Sequence, residues 1–231
     1  MQIAISIIIL IASYVIGSTP SGLIIVKLIS GKDVRTIESG RTGGTNAMRA
    51  AGIWAGLGTA ILDVLKSAVC VWLVRWLLPG STWMEIFAPL LAILGHNYSL
   101  FLVERNEQGR IRFHGGAGGG PAVGGAFGLW MPSILIIVPI GAIIIYLIGY
   151  ASVTTMSIPI MTLLIFAYRT WSVGSPWQYI VYGLLAELLL IWALRPNIRR
   201  LMNGTERLVG LRARRKKKQA DQSSSSTSTS S

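Results

Sequence analysis

Residues 39–49, SGRTGGTNAMR, combine the side chains that bind anions with a backbone that can approach them. The eleven residues hold three glycines, four hydroxyl or amide side chains and two arginines, Arg41 and Arg49. Glycines let backbone N–H groups turn toward an anion, hydroxyls and amides donate hydrogen bonds, and arginine neutralises the charge. Thr45 or Asn46 is expected to cap the next helix, directing its positive end to the same place. The run predicts a phosphate site rather than an empty loop.

A second stretch, RFHGGAGGGPAVGG at 112–125, has seven glycines in fourteen positions. So much bare backbone is expected where a chain must come close to a ligand. Arg112 and His114 stand at its start and can donate to an anion.

The remaining composition is that of a membrane protein. With 52% hydrophobic and 13% charged residues, the 231-residue chain is predicted to be an all-α, polytopic integral membrane protein. A bilayer core about 30 Å thick needs about 20 apolar residues per helix. About seven transmembrane helices are expected, at 3–29, 51–78, 83–103, 119–131, 133–150, 157–168 and 178–194. The fourth and fifth are separated at Pro132, which disfavours a continuous helix.

Lys and Arg residues gather on one side of this bundle. If the N-terminus is outside, the basic residues of 27–49, 105–112 and the chain from 195 onward are cytoplasmic, and only Arg75 and Arg169 are outside. The sequence therefore predicts a multi-pass protein of the cell inner (plasma) membrane with a cytoplasmic C-terminus. No basic segment or small-residue cleavage site marks the first run as a signal peptide.

Polar groups from distant parts of the chain fall on the same predicted cytoplasmic face. Such groups beside membrane spans are costly unless they line a functional cavity, so their gathering predicts a site. Asp63 and Lys66, three residues apart on one helical face, predict a structural ion pair, with a supporting role toward phosphate as the alternative. His96 is interpreted as a hydrogen-bonded packing residue rather than a catalytic base.

The C-terminal part, 208–231, is basic and then rich in Ser and Thr, which predicts a disordered cytoplasmic tail behind a membrane domain at 1–207. The tail is expected to contact anionic membrane lipids. The net charge of +12 comes without aromatic stacking residues in the tail, so no nucleic-acid partner is expected. Cys70 is the single cysteine, which excludes a disulfide framework and a Cys-based metal site; no metal or cofactor is expected.

Six motifs together resemble a known family, the acyl-phosphate-dependent glycerol-3-phosphate acyltransferases of the PlsY type. They are GSTPSG, DVRTIESGRTGGTNAMRAAG, LDVLK, LGHNYSLF, FHGGAGGG and NIRRLMNGTE. They occur in the family's order at its approximate spacing between residues 14 and 206, and several ordered motifs are far more specific than one glycine-rich loop. The resemblance implies seven transmembrane helices and a site on the cytoplasmic side.

The resemblance further implies transfer of a fatty acyl group from an acyl phosphate to the 1-hydroxyl of sn-glycerol 3-phosphate, giving lysophosphatidate and phosphate. Ser39, Arg49 and Asn197 match functional positions of the first and last motifs and are the expected catalytic residues. Ser39 is expected to donate a hydrogen bond, since an acyl phosphate is already activated. The expected substrate-binding residues are Gly40, Arg41, Thr42, Gly43, Gly44, Thr45, Asn46, Arg112, His114, Gly115, Gly116, Gly118, Thr155 and Glu206.

Two positions depart from the family pattern. Ala117 stands where the family has the lysine of its glycine-rich motif, and Leu194 stands where it has a histidine three residues before the asparagine. Another cation is expected to take over the phosphate contact, with Arg41 the first candidate and Arg112 and His114 the others. Two alternatives stay open: a diverged homologue with another substrate or no turnover, and a small anion or lipid transporter.

Overall fold

The computed structural model describes residues 2–105 and 107–213, and within them the chain forms nine α-helices and one two-stranded β-hairpin. The helices are α1 Gln2–Ser18, α2 Ser21–Ser30, α3 Gly44–Ala51, α4 Ile53–Leu77, α5 Thr82–Asn97, α6 Gly119–Leu129, α7 Ile134–Ile148, α8 Ala151–Val173 and α9 Gln178–Met202. The antiparallel strands are β1 Val103–Arg105 and β2 Ile111–Phe113, with Glu104 opposite Arg112. The prediction of an all-α membrane protein is confirmed, with this hairpin as the only addition among the described residues.

Six segments of the described chain are long and apolar enough to span a membrane. One of them is the pair α1 and α2, because the predicted helix 3–29 is interrupted at Thr19 and Pro20, as expected for a residue that precedes proline. The helix predicted at 157–168 extends from Ala151 to Val173. Pro159 lies inside this helix, α8, and does not end it.

The fourth predicted span is a short helix. Helix α6 has 11 residues, which gives a length of about 16 Å at about 1.5 Å per residue. It lies in the interior, since Ala122, Val123, Ala126 and Leu129 belong to the main hydrophobic core. Six segments are thus long enough to be candidate spans by themselves, with α6 packed among them, and the predicted count of about seven stays a prediction.

Glycine permits the close packing of α6 on α4. A Cβ atom at Gly124 would lie 2.0 Å from the backbone oxygen of Val64. Gly124→Ala is therefore expected to destabilise the protein by about 1–3 kcal/mol, because the backbones would have to separate. Gly141→Ala is the matched control, since a Cβ there meets only a methyl group of Thr154 at 3.7 Å. A lower melting temperature in detergent for the first variant alone is the expected result; equal melting temperatures would contradict it.

An ion pair fixes the end of the bundle at which α4 and α6 finish. The Arg75 guanidinium donates to Glu85 Oε2 at 2.9 Å and to the carbonyl oxygens of Gly128 and Leu129 at 2.8 and 2.9 Å. The Tyr179 hydroxyl donates to the same carboxylate oxygen at 2.6 Å. Four helices, α4, α5, α6 and α9, are thus tied together at this end.

Residues just after the predicted boundary at 207 contact the connection between α7 and α8. Leu208 pairs with Tyr150 as an isolated bridge, and the Val209 amide donates to the Gly149 carbonyl at 2.8 Å. Val209 is buried at this connection. The division of the chain at residue 207 stays a prediction, and residues 214–231 of the predicted tail lie outside the described residues.

Candidate active site

A cavity of about 400 Å³ lies at the end of the bundle where α4 begins, opposite the Arg75 ion pair. Helices α3 to α9, the loop before α3 and the segment after α9 form its walls. Eleven residues predicted for the site or its support line it: Ser39, Arg41, Gly43, Gly44, Thr45, Asn46, Arg49, Asp63, Thr155, Asn197 and Glu206. The second, third and last of the six motifs therefore converge in space.

The loop 39–43 is held in place by hydrogen bonds from a side chain to backbone carbonyl groups rather than by a helix cap. Gly40 has φ +67°, a left-handed conformation that glycine adopts without strain. The Asn46 side-chain amide donates to the carbonyl oxygens of Val34, Ile37 and Arg41 at 3.0, 3.0 and 2.9 Å. The expected cap by Thr45 or Asn46 is wrong, because Gly43 is the N-cap residue and Asn46 holds the loop instead.

The Arg41 side chain crosses the cavity and joins three parts of the site. Its guanidinium donates to the Gly116 carbonyl at 2.7 Å, to the Ala193 carbonyl at 2.6 Å and to Asn197 Oδ1 at 3.2 Å. Among the described residues it has no carboxylate within ion-pair distance. Burial, followed by nearby Arg200, lowers the pKa of Arg41, but a guanidinium stays protonated in proteins. The cavity therefore contains a half-buried positive charge that no described carboxylate pairs with.

Arg49 adds a second cation from α3. It is half-buried, lines the cavity and also has no carboxylate within ion-pair distance in the described part of the chain. Burial lowers its pKa, while Glu38 opposes this shift. Arg207, which also lines the cavity, is paired with Glu38 Oε2 at 3.2 Å, so its charge is already balanced.

Glu206 orients the polar residues at the end of α9. Its carboxylate accepts from the Asn197 amide at 2.9 Å, from Arg200 Nε at 3.0 Å and from the Ser152 hydroxyl at 3.3 Å. Asn197 consequently donates to Glu206 and accepts from Arg41. This chain of contacts holds Asn197 in one orientation at the cavity wall.

The glycine-rich stretch contributes to the cavity through other residues than those predicted. Ala117, Gly119 and Gly120 line it, whereas Gly115, Gly116 and Gly118 lie behind its wall. A Cβ at Gly115 would be 2.3 Å from the His96 carbonyl oxygen, and the Thr42 amide donates to the Gly115 carbonyl at 3.2 Å. These three glycines let the segment pack on α5 and on the first loop. Their close packing is thus established, and their predicted contact with a ligand stays a prediction.

Arg112, His114 and Gly40 lie in a second, neighbouring pocket that shares Ser39 with the cavity. His114 Nε2 is 3.1 Å from Glu104 Oε2, and the same carboxylate pairs with Arg35. Arg112 lies in the exposed hairpin and His114 directly follows it. Glu104 holds the residues of this surface in place. Neither of them lines the main cavity, so Arg41 is the one of the three predicted substitutes that does.

A buried trio lies beneath the cavity. Lys66 Nζ is 2.9 Å from Asp63 Oδ1, as the spacing predicted, and it also contacts His96 Nδ1 at 2.8 Å and donates to the Thr19 carbonyl at 3.2 Å. Asp63 and His96 line the cavity, whereas Lys66 lies behind them. His96 was predicted to pack in the interior, and a lone histidine in an apolar run gives no signal that it faces a cavity.

Comparisons with known proteins identify the family of this chain. A family model described as glycerol-3-phosphate acyltransferase matches residues 7–204. A protein of that name from Thermus thermophilus is 35% identical over 204 residues, covering 88% of this chain and 95% of the relative. One from Chlorobium limicola is 31% identical, covering 87% and 95%.

A solved structure has the same fold. The glycerol 3-phosphate form of PlsY (YgiH), an integral membrane glycerol 3-phosphate acyltransferase, matches with a TM-score of 0.74 and 29% identity, covering 89% of this chain and 96% of the other. The lysophosphatidic acid form of PlsY gives 0.73 and 27%. This chain therefore belongs to the glycerol-3-phosphate acyltransferase family and is a membrane acyltransferase of phospholipid synthesis.

Proposed function

We propose that the enzyme transfers a fatty acyl group from an acyl phosphate to the 1-hydroxyl of sn-glycerol 3-phosphate. The hydroxyl oxygen attacks the acyl carbon and the bond from that carbon to the phosphate oxygen breaks. The phosphate leaves with the electron pair and, in the net reaction, the hydroxyl proton. The observation that carries the proposal is the pair of cations, Arg41 and Arg49, lining one cavity without carboxylate partners among the described residues. Two anionic substrates need such a charge excess.

The apolar side of the cavity suits the acyl chain. Val64, Val123, Val138 and Ile158 line it between α4, α6, α7 and α8. Val138 is also 49% exposed on the outside of the bundle, where the bilayer would lie. A chain dissolved in the membrane can therefore reach the cavity from the side.

An activated donor suits the groups around Ser39. Its Oγ accepts from the Arg41 amide at 3.4 Å, and the described residues place no histidine in hydrogen-bond contact with it. A serine without a base is a weak nucleophile, so a direct transfer from an acyl phosphate fits better than an acyl-serine intermediate. Ser39 is then a hydrogen-bond donor to the substrate. Two solved relatives are the glycerol 3-phosphate and lysophosphatidic acid forms of PlsY, and both of these molecules carry a phosphate group.

The test is release of inorganic phosphate by the purified protein, given palmitoyl phosphate and glycerol 3-phosphate. We expect release that requires both substrates and that falls about tenfold in Ser39→Ala, the order of magnitude for a lost hydrogen bond to a charged group. Release that continues without glycerol 3-phosphate would identify a hydrolase. No release from the folded protein would support a homologue that has left this reaction.

We further propose that the cavity opens toward the cytoplasm and that the N-terminus is outside. In the described chain most Lys and Arg residues lie at the cavity end, and Arg75 and Arg169 lie at the other. In a Cys70→Ala background, Val173→Cys is expected to react with an impermeant maleimide added to intact spheroplasts. Glu107→Cys should react only after the membrane is opened. The reverse pattern would contradict the orientation.

A further inference from the structure

His96 lies at the C-terminal end of α5, is 4% exposed and lines the cavity. A ring nitrogen in this position either accepts or donates a hydrogen bond, depending on which nitrogen carries the proton. The contacts of the opposite nitrogen decide between these states.

Lys66 fixes the proton position of the ring. A lysine ammonium has three hydrogens to donate and nothing with which to accept. Lys66 Nζ donates to the Thr19 carbonyl at 3.2 Å, lies 2.8 Å from His96 Nδ1 and forms an ion pair with Asp63 Oδ1 at 2.9 Å. His96 Nδ1 must therefore accept, and in a neutral ring the proton is then on Nε2. A second positive charge on the ring would face the ammonium directly, which favours the neutral form.

The protonated nitrogen lies beside Gly116, the residue whose carbonyl binds Arg41. A Cβ at Gly116 would be only 1.8 Å from His96 Nε2, so the ring reaches this point because residue 116 is glycine. The Gly116 carbonyl accepts from Arg41 Nη1 at 2.7 Å. His96 Nε2 itself has no hydrogen-bond partner among residues 2–105 and 107–213.

We propose that His96 contacts the substrate as a neutral hydrogen-bond donor, with its Nε2–H bound to an anionic oxygen next to Arg41. Lys66 and Asp63 are positioning residues that hold the ring in this tautomer. No proton is transferred, so His96 is not a general base. The inference rests on the proposed function, since it requires an anionic substrate in the cavity.

The first test reads the tautomer without turnover. The chain has two histidines, so His114→Gln leaves His96 as the only signal in ¹⁵N-histidine-labelled protein in detergent micelles. At neutral pH we expect an unprotonated Nδ1 and a protonated Nε2. Glycerol 3-phosphate, added until a binding isotherm on the same sample saturates, should shift Nε2 more than Nδ1.

Each result has a definite meaning. A protonated Nδ1, or an Nε2 signal unchanged at saturation, overturns the proposal. Failure of the folded protein to bind either glycerol 3-phosphate or inorganic phosphate overturns it together with the proposed function. If glycerol 3-phosphate binds with the expected shift of the Nε2 signal but no acyl transfer is measured, the result supports the donor role of His96 and rejects only the proposed reaction.

The second test compares two replacements. His96→Gln places an amide donor near the Nε2 position and should keep kcat/KM within about tenfold, whereas His96→Phe removes the donor and should lose about 100-fold. The pH profile of His96→Gln should match that of the parent, because no titration of His96 is involved. Equal inactivity of both variants at unchanged melting temperature, or loss of an acidic limb in His96→Gln, would indicate a base and overturn the proposal.

Discussion

Arg41→Ala is expected to lower kcat/KM for glycerol 3-phosphate by about 100-fold or more. The variant removes a half-buried charge that no described carboxylate pairs with, and it leaves the Gly116 and Ala193 carbonyls and Asn197 without their donor. Hydrogen bonds to charged groups contribute about 1.5–3 kcal/mol each, and about 2.7 kcal/mol corresponds to a hundredfold change. Steady-state phosphate release at varied glycerol 3-phosphate concentration measures the effect.

A second-site variant separates the charge from the packing. Ala117 lines the same cavity, one residue after the carbonyl that Arg41 binds. Adding Ala117→Lys to Arg41→Ala should return about tenfold of the lost activity, because an ammonium re-enters the cavity. Arg41→Lys should be intermediate, since it keeps the charge and loses the planar fork. Activity of Arg41→Ala within about threefold of the parent, in a protein of unchanged melting temperature, would contradict the role.

The position of Arg41 accounts for both departures from the family pattern. Its guanidinium contacts the carbonyl of Gly116, just before Ala117, and the carbonyl of Ala193, just before Leu194. One side chain from the first motif therefore approaches the two positions at which the other motifs lack a cation or an imidazole. The sequence indicated Arg41 as a substitute but gave no reason to connect it with Leu194, because residues 41 and 194 meet only in three dimensions.

Other features could be predicted in kind but not in detail. Hydrophobic runs were sufficient to predict the membrane fold, because about 20 apolar residues span a bilayer wherever they occur. They do not show that α6 is short and buried in protein, since apolarity does not distinguish such a helix from one that faces lipid. The composition of the loop predicted an anion site. It did not predict that the Asn46 side chain binds three backbone carbonyl oxygens of the preceding segment, because their positions depend on the fold.

Tertiary contacts also decided which basic residues lie in the site. Arg112 and His114 flank the glycines in sequence, yet Glu104 holds His114 on the hairpin surface. Arg49 lies in the cavity because the short helix α3 packs on α4, where a Cβ at Gly56 would be 2.6 Å from Met48 Cβ. Local sequence therefore gave the types of group required, whereas helix packing selected among them.

Arg49→Ala is expected to lower kcat/KM by about 100-fold, with most of the loss in KM for glycerol 3-phosphate. Arg49 has no carboxylate within ion-pair distance among the described residues, so its charge is available to a substrate phosphate. A contact made equally in the bound substrate and the transition state raises KM and leaves kcat nearly unchanged. Arg49→Lys should recover part of the affinity, because it keeps the charge at the same place.

Arg207→Ala is the matched control for this variant. Arg207 lines the same cavity but is paired with Glu38, and an ion pair this exposed contributes little, about 0–1 kcal/mol. Its loss should therefore change kcat/KM by less than about fivefold. If Arg207→Ala lowered kcat/KM as much as Arg49→Ala, the substrate phosphate would have to displace Glu38 from Arg207. The phosphate would then lie nearer the end of α9 than the positions of Arg41 and Arg49 indicate. Equal KM values for Arg49→Ala and the parent would remove Arg49 from the binding site.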